Sequence, residues 1–560
     1  MTSNATLSQP SPNESLKASS PTLAGNIAGT LANAGVDRFS EDDAQFLKFH
    51  GIYQQDDRDL RKTGKKFSLM IRVRMPGGIL TSTQYLALDR LATQYANNTL
   101  RITSRQGIQF HAVLKSNLAR TIQGINETLL TTIAACGDVV RNVMAPPSPA
   151  GDVLSEQIHQ AANRLSRALT PVTPAYQEIW LAGQALNLTD DKAQRFVDPL
   201  YGKTYLPRKF KFTFAIPPLN DVDIFAHCIG LIAIVENDKL AGYNLTAGGG
   251  MGRSHGNAET FPRLADVVGF LTPDQLEPAA MAAVTIHRDF GDRSNRKHAR
   301  LKYVLADRGV DWFRTELEQR AGFKLAPARP FEFTRQGDPF GWHPQADGRW
   351  FLGLFVETGR IKDTEARRLK TALRQIAEQY QPQFRLTPGN NLLLLNVRLD
   401  QCAKITQILA DHGVRVEQPG SAVRCASMAC VALPTCGLAL AESERYLPDL
   451  MTRVEQLLAE LGMPDEEIII RMTGCPNGCA RPYMAEIGFV GKAPGKYQLY
   501  LGGNQASTRL NRLYKDNVKD ADIINELRPV LARFAQQRHN AERFGDWVER
   551  VLWPEPPVAH

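Results

Sequence analysis

Two short stretches near the C-terminus carry the residues best suited to metal or redox chemistry. They are Cys430-Val431-Ala432-Leu433-Pro434-Thr435-Cys436 and Cys475-Pro476-Asn477-Gly478-Cys479. Thiolates bind soft iron and zinc, and two close pairs on turns can fold back into a four-sulfur cage. Zinc pairs usually leave two to four residues between cysteines, whereas the gaps here are five and three. Pro434 and Pro476 remove backbone donors and stiffen both turns, which suits a rigid site. A cubane iron–sulfur cluster is the first reading and structural zinc the second. Unliganded buried cysteines are the bland alternative.

A second set of residues is cationic. If residues 69–75 form a strand, Leu69, Ile71, Val73 and Met75 face one way and Arg72 with Arg74 the other. By the same alternation Arg101, Thr103 and Arg105 share a face. Lys209 and Lys211 project together, away from Phe210 and Phe212. Such pairs can mark a solvated sheet face, but three of them on central strands point to a buried anion, because buried cations need counter-charge. His111 follows a strand core and reads as a packed or outer-layer histidine. Gly248-Gly249-Gly250-Met251-Gly252 and Gly491-Lys492-Ala493-Pro494-Gly495-Lys496 fit neither nucleotide-loop pattern. The first suits close backbone approach to a flat ligand. With no NADPH or flavin site in view, electrons must come from a partner.

The elements positioning these residues form a duplication. Strand, glycine turn, helix, strand and helix run from Phe67 to about Thr132, and the same order returns from Trp350 to about Gly413. Tyr243-Asn244-Leu245-Thr246-Ala247-Gly248-Gly249 echoes Tyr497-Gln498-Leu499-Tyr500-Leu501-Gly502-Gly503. The order A, B, A′, B′ predicts an α+β protein of three domains around a pseudo-two-fold axis. Residues 66–133 and 346–414 are the half-units, and 134–345 and 415–556 the flanking domains. Residues 1–38, rich in Ser, Thr, Asn, Ala and Pro, read as a disordered tail, and 39–65 as an extended arm.

Composition bounds the rest. With 560 residues the chain is too long for one core. Its 43% hydrophobic and 22% charged content is that of a soluble globular protein. The net charge of +8 favours anionic partners. There is no basic run or motif for nucleic acid, no apolar stretch long enough for a bilayer and no export leader, so a cytoplasmic location is expected. The scattered Cys136, Cys228, Cys402 and Cys425 show no disulfide spacing.

The two cysteine pairs resemble those of the siroheme- and 4Fe–4S-containing sulfite and nitrite reductases, in which Cys-x5-Cys is followed by Cys-x3-Cys. The likeness extends from about Lys48 to beyond Asn504 and is nearest to the NADPH-dependent assimilatory branch. It implies ferredoxin-like half-units and two siroheme/Fe–S domains. It also implies cluster ligation by Cys430, Cys436, Cys475 and Cys479, with Cys479 touching the siroheme iron as well. By resemblance, Arg72, Arg141, Lys209 and Lys211 match the substrate-binding cations. Arg101, Arg105, Gln109, Asn142 and Arg300 are offered for the siroheme carboxylates, Arg300 standing where a lysine is expected. The implied reaction is six-electron reduction of sulfite to sulfide in cysteine biosynthesis, fed by a flavoprotein subunit that draws on NADPH. A ferredoxin-fed sulfite or nitrite reductase is the alternative within the family. A basic binding protein with a four-cysteine zinc site is the alternative outside it. The tail and arm are expected to recruit the donor, so deleting residues 1–38 should weaken complex formation and spare activity with an artificial donor.

Overall fold

The computed structural model describes residues 9–147, 153–181 and 195–554. Among them the strands form four sheets. The first contains β1 (Ile52–Asp56), β2 (Phe67–Arg72), β4 (Leu100–Ile102) and β5 (Ile108–Val113), and the short β3 (Ile79–Leu80) leaves it for the second. The third contains β6 (Phe212–Ala215), β7 (Ile229–Glu236), β8 (Lys239–Ala247) and β9 (Asp266–Leu271). The second is built on β10 (Gly341–Pro344), β11 (Trp350–Leu354), β13 (Gln383–Leu386) and β14 (Leu392–Val397), while β12 (Arg360–Ile361) crosses to the first. The fourth runs in order through β15 (Met428–Ala429), β16 (Ile470–Thr473), β17 (Ile487–Ala493), β18 (Lys496–Leu501) and β19 (Arg512–Lys519).

The half-units are interlocked by exchange of one short strand each. β3 pairs with β13, Leu80 opposite Phe384, and β12 pairs with β4, Arg360 opposite Arg101. Two-residue strands cannot stand alone, so each half-unit's sheet is completed by the other. Buried Tyr85 stacks on Phe384 with ring centroids 4.3 Å apart, adding aromatic contact across the junction.

The third and fourth sheets repeat one another. β6 runs parallel to β7, with Phe212 opposite Ile229; β16 runs parallel to β17, with Ile470 opposite Ile487. Antiparallel strands follow in both, ending on Ala247 and Leu501 beside Ile229 and Ile487. The Tyr243 and Tyr497 segments therefore correspond in register. Gly249 and Gly503 have one purpose: a Cβ on either would strike backbone carbonyls, at 2.2 Å from Phe225 O and 2.4 Å from Ala485 O. The Gly248–Gly252 loop thus serves chain crossing first.

The N-terminal expectations need correction. Residues 9–38 are not a disordered tail: they contain α1 (Pro12–Ser19) and α2 (Ile27–Ala32), with Leu23 and Ile27 fully buried. Residues 1–8 lie outside the described residues. The arm is partly helical as well. α3 (Glu41–Phe49) is capped by the Ser40 hydroxyl, which accepts from Asp43 N at 3.0 Å, and β1 then joins β2 as an antiparallel edge strand. β10 pairs in the same way with β11, so residues 341–344 belong with the second half-unit and not with the domain before it.

One carboxylate joins three units. Glu444 accepts from Arg101 Nε at 3.0 Å and from Arg360 Nε at 2.7 Å. These guanidiniums, with their hydrogen bonds, pull its acidity to about 2 against burial, which opposes the shift; the ordinary value is 4.5. The stabilisation is complete above about pH 4.5 and is lost as pH falls towards 2. Glu444→Gln leaves two buried guanidiniums short of charge and should cost about 3–5 kcal/mol. It should also flatten the fall in unfolding temperature between those pH values, which calorimetry measures.

Candidate cluster and anion site

The first cysteine pair is presented by the loop after β15 and the second by the loop after β16, neighbouring parallel strands. Cys430 N donates to Met472 O at 3.2 Å, and Cys430 Sγ accepts from Gly474 N at 3.4 Å. Leu440 N and Ala441 N both donate to Gly474 O, at 2.7 and 3.0 Å. The two segments meet so closely at Gly474 that an added Cβ would lie 2.5 Å from Ala432 Cβ and from Ala441 O. The outer loop is held by Arg58, whose guanidinium donates to Cys436 O at 2.8 Å and Ala439 O at 2.6 Å. The Cys479 carbonyl takes the Ser104 hydroxyl at 2.9 Å.

The four sulfurs lie within one another's field. Burial pushes the Cys430 thiol well up, and the Cys479, Cys475 and Cys436 sulfurs push it further. Cys475 is pushed up to about 12, by burial first and Cys479 next. Thiols that repel one another as thiolates in a buried place are a site for a cationic iron–sulfur core.

Cys479 is exposed and faces the cationic group. Its sulfur acts on both Arg72 and Lys209. Lys209 is depressed to about 7 by burial, then by Arg208 and Arg300. Lys211 is depressed well below its usual range by burial, then by Lys209, Arg105 and Arg300. Arg105 falls to about 9 through burial, with Arg141, Arg481 and Arg72 contributing. The Nε atoms of Arg105 and Arg300 are buried without a hydrogen-bond partner. A pocket that holds this many cations, with donors unmet, fits a polyanion such as a carboxylate-rich macrocycle.

The side chains expected in the site divide. Arg72, Arg105, Arg141, Lys209, Lys211 and Arg300 belong to this cationic group. Arg141 is fixed by Nε–H to Gly137 O at 2.8 Å, and Arg72 by Nη1–H to Cys136 Sγ at 3.0 Å. Arg101 instead reaches the end of β15, just before the cysteine loop, donating to Ala429 O at 2.8 Å beside its pair with Glu444. Gln109, with its amide oxygen turned to Arg72, accepts from Arg72 Nε at 3.1 Å and Nη2 at 2.6 Å. Asn142 is spent on backbone, donating to Met75 O at 2.7 Å and Arg105 O at 2.8 Å and accepting from Met75 N. These three brace the site and have little left for a ligand. Arg74, on the same face as Arg72, is buried against Val140 O and Ser166. His111 is buried with neither ring nitrogen partnered, and burial, then Arg360, depress it well below its usual range.

Sequence reasoning missed Arg208, Lys302 and Arg481. Lys302 donates to Gly250 O at 3.1 Å and Gly252 O at 2.7 Å, fixing the glycine loop against the cluster turn, where Arg253 N donates to Pro476 O at 2.9 Å. Arg208 was legible as the neighbour of Lys209. The other two lacked any local signal.

Comparison with known proteins matches both repeated units of the chain. Residues 160–325 and 420–555 match the nitrite and sulphite reductase 4Fe–4S domain. Residues 60–128 and 343–412 match the nitrite/sulfite reductase ferredoxin-like half domain. A sulfite reductase (NADPH) hemoprotein beta-component from Staphylococcus saprophyticus is 48% identical over 544 residues, covering 96% of this chain and 95% of the relative. One from Myxococcus xanthus is 48% identical with 97% of each covered. The solved Mycobacterium tuberculosis NirA protein shares the fold, with a TM-score of 0.80, 24% identity and 97% of each chain covered.

The close approach at Gly474 yields a direct test. Gly474→Ala should separate the two cysteine segments and abolish cluster assembly, read as loss of bound iron and labile sulfide from a protein that still folds by circular dichroism.

Proposed function

The chain belongs to the nitrite and sulphite reductase family, and on that premise we propose that it reduces sulfite to sulfide with six electrons. The observation that carries the reading is the exposed Cys479 sulfur, which lies within electrostatic reach of both the other cluster thiols and the cations Arg72 and Lys209. When bound, siroheme and a 4Fe–4S cluster supply the redox chemistry. Cys430, Cys436, Cys475 and Cys479 would hold the cluster, with Cys479 shared between the two groups, and Arg105 and Arg300 would take macrocycle carboxylates.

This chain's own residues do the rest. Arg72 and Arg141, braced by Gln109 and by backbone carbonyls, present forked donors to an oxyanion. Lys209 and Lys211 add positive field. Converting sulfite to sulfide releases each of its oxygens as water, and each water needs two protons. An ammonium whose affinity for protons has fallen to about pH 7 gives one up readily near neutrality and regains it from solvent. Placed beside an anion, Lys209 is favoured in its charged form, so binding takes up a proton and weakens as pH rises above about 7. Calorimetry in buffers of different ionisation heat should show that uptake at pH 7.5 in the wild type and a reduced uptake in Lys209→Met.

The electron donor is an NADPH-dependent flavoprotein subunit; the names of relatives at 48% identity, NADPH sulfite reductase hemoprotein beta-components, support a separate component that draws on NADPH. No helix among the described residues is long and apolar enough to cross a membrane, and a cytoplasmic location accords with reduced thiols. Turnover with a reduced viologen should be faster on sulfite than on nitrite, and a flavoprotein donor should outperform ferredoxin. The reverse order would move the chain to another branch of the family. Cys479→Ser should lose the electronic coupling between cluster and tetrapyrrole. Normal spectra with full activity would contradict the shared ligand.

A further inference from the structure

α1 has an unusual buried face. Its fully buried side chains are a carboxylate and an ammonium, Glu14 at 5% exposure and Lys17 at 3%. A helix docked for apolar burial alone would place leucine there; here half-buried Leu16 packs on the core while the fully buried contacts are ionic.

The partners of those charges lead to the anion site. Lys17 Nζ lies 2.5 Å from Glu14 Oε1, donates to Leu206 O at 2.8 Å and lies 3.8 Å from Asp138 Oδ2. Glu14 also pairs with Arg293, whose second amino group donates to Tyr205 O at 2.7 Å. Asp138, 3% exposed, accepts from Arg296 at 2.7 and 3.1 Å and has Arg208 at 3.8 Å. Its own carbonyl accepts from Leu206 N at 3.0 Å.

Two segments cross under this network. One runs from Asp138 to Arg141, the other from Tyr205 to Lys211. They are laced by Phe210 N to Val139 O at 3.0 Å and Arg141 N to Phe210 O at 2.9 Å. Arg141, Lys209 and Lys211 lie on the inner side, where like charges drive them apart. On the outer side Glu14 and Asp138 draw the same segments together through Lys17, Arg208, Arg293 and Arg296. We propose that Glu14 and Lys17 of α1, with Asp138, are positioning residues that lock the Arg141 and Lys209–Lys211 segments in register for an oxyanion. This rests on the assignment of Arg141 and Lys209 to the substrate pocket.

The lock is a matter of geometry more than stability, since a buried ion network gives little net free energy. It also changes what the N-terminus does. Deleting residues 1–38 removes the lock, so artificial-donor activity should fall along with any loss of partner binding.

The test compares holoenzymes carrying Lys17→Met, Lys17→Arg, Glu14→Gln or Arg141→Ala, with sulfite and reduced viologen. Lys17→Met should raise KM for sulfite about tenfold while kcat changes by less than about twofold, because a displaced cation weakens anion capture before it alters the reacting centre. Lys17→Arg should restore most of the KM. In siroheme-free protein, hydrogen exchange over residues 138–141 and 205–211 should quicken in Lys17→Met and Glu14→Gln. If Lys17→Met does not fold, the nearly isosteric Glu14→Gln carries the same readouts. Wild-type KM and exchange in the folded variants overturn the lock, as does a lower kcat with KM and exchange unmoved. If Arg141→Ala raises KM while Lys17→Met does not, the lock alone fails. If Arg141→Ala also leaves KM unchanged, the pocket assignment fails.

Discussion

A buried carboxylate and guanidinium meet where the four units of the chain converge, and the site is assembled around that contact. Asp223 pairs with Arg481 and with Arg471, all almost fully buried. Arg481 also donates to Ser104 O and Pro388 O, both at 3.1 Å. One guanidinium therefore ties its own cluster loop to the first half-unit, the third sheet and the second half-unit. Asp223 is held well below the usual carboxylate range by its two arginines, although burial opposes them. Removing either partner would strand a charge in the interior. Arg481 lies two residues after Cys479, so the same contact anchors the backbone of the turn that carries it.

The contact also records the duplication. Asp223 and Arg481 each precede a short helical turn in left-handed conformation, at φ 51° and 55°, and each lies eight residues beyond the last residue of its strand, β6 or β16. They are equivalent positions of opposite charge, joined across the pseudo-axis. Counting back, Pro217 and Asp221 stand where the other copy has Cys475 and Cys479. One copy therefore carries the cysteines. The other supplies Lys209, Lys211 and Arg300 to the cationic pocket. The duplicated fold thus divides cysteines and cations between its halves and brings them together at their junction, where ligand sites commonly lie.

Much of this was legible in residue type and spacing. The paired cysteines, the Tyr243 and Tyr497 repeats and the alternating cations of residues 69–75 and 208–212 each carry a period or gap that only a few structures satisfy. What remained hidden depended on direction and distance. Alternation says that Arg72, Arg74, Arg101 and Arg105 leave the apolar face, but not that Arg74 and Arg101 end on backbone carbonyls. The exchanged strands are two residues long and carry no periodic signal. α1 and α2 resembled linker because charge buries α1, and a composition rich in Ser, Thr and Asn concealed it. Asn142 and Gln109 had the right chemistry for a ligand and were taken up by neighbours that only the fold brings near.

Four cysteines lie within one another's field, beside cations that repel one another unless a polyanion lies among them. Anaerobic purification of the full chain, followed by an absorption spectrum and metal analysis, tests this most directly. The predicted result is a coloured protein with tetrapyrrole bands, iron and acid-labile sulfide. A colourless protein containing zinc, or no metal and no tetrapyrrole when expressed alongside siroheme synthesis, would contradict it.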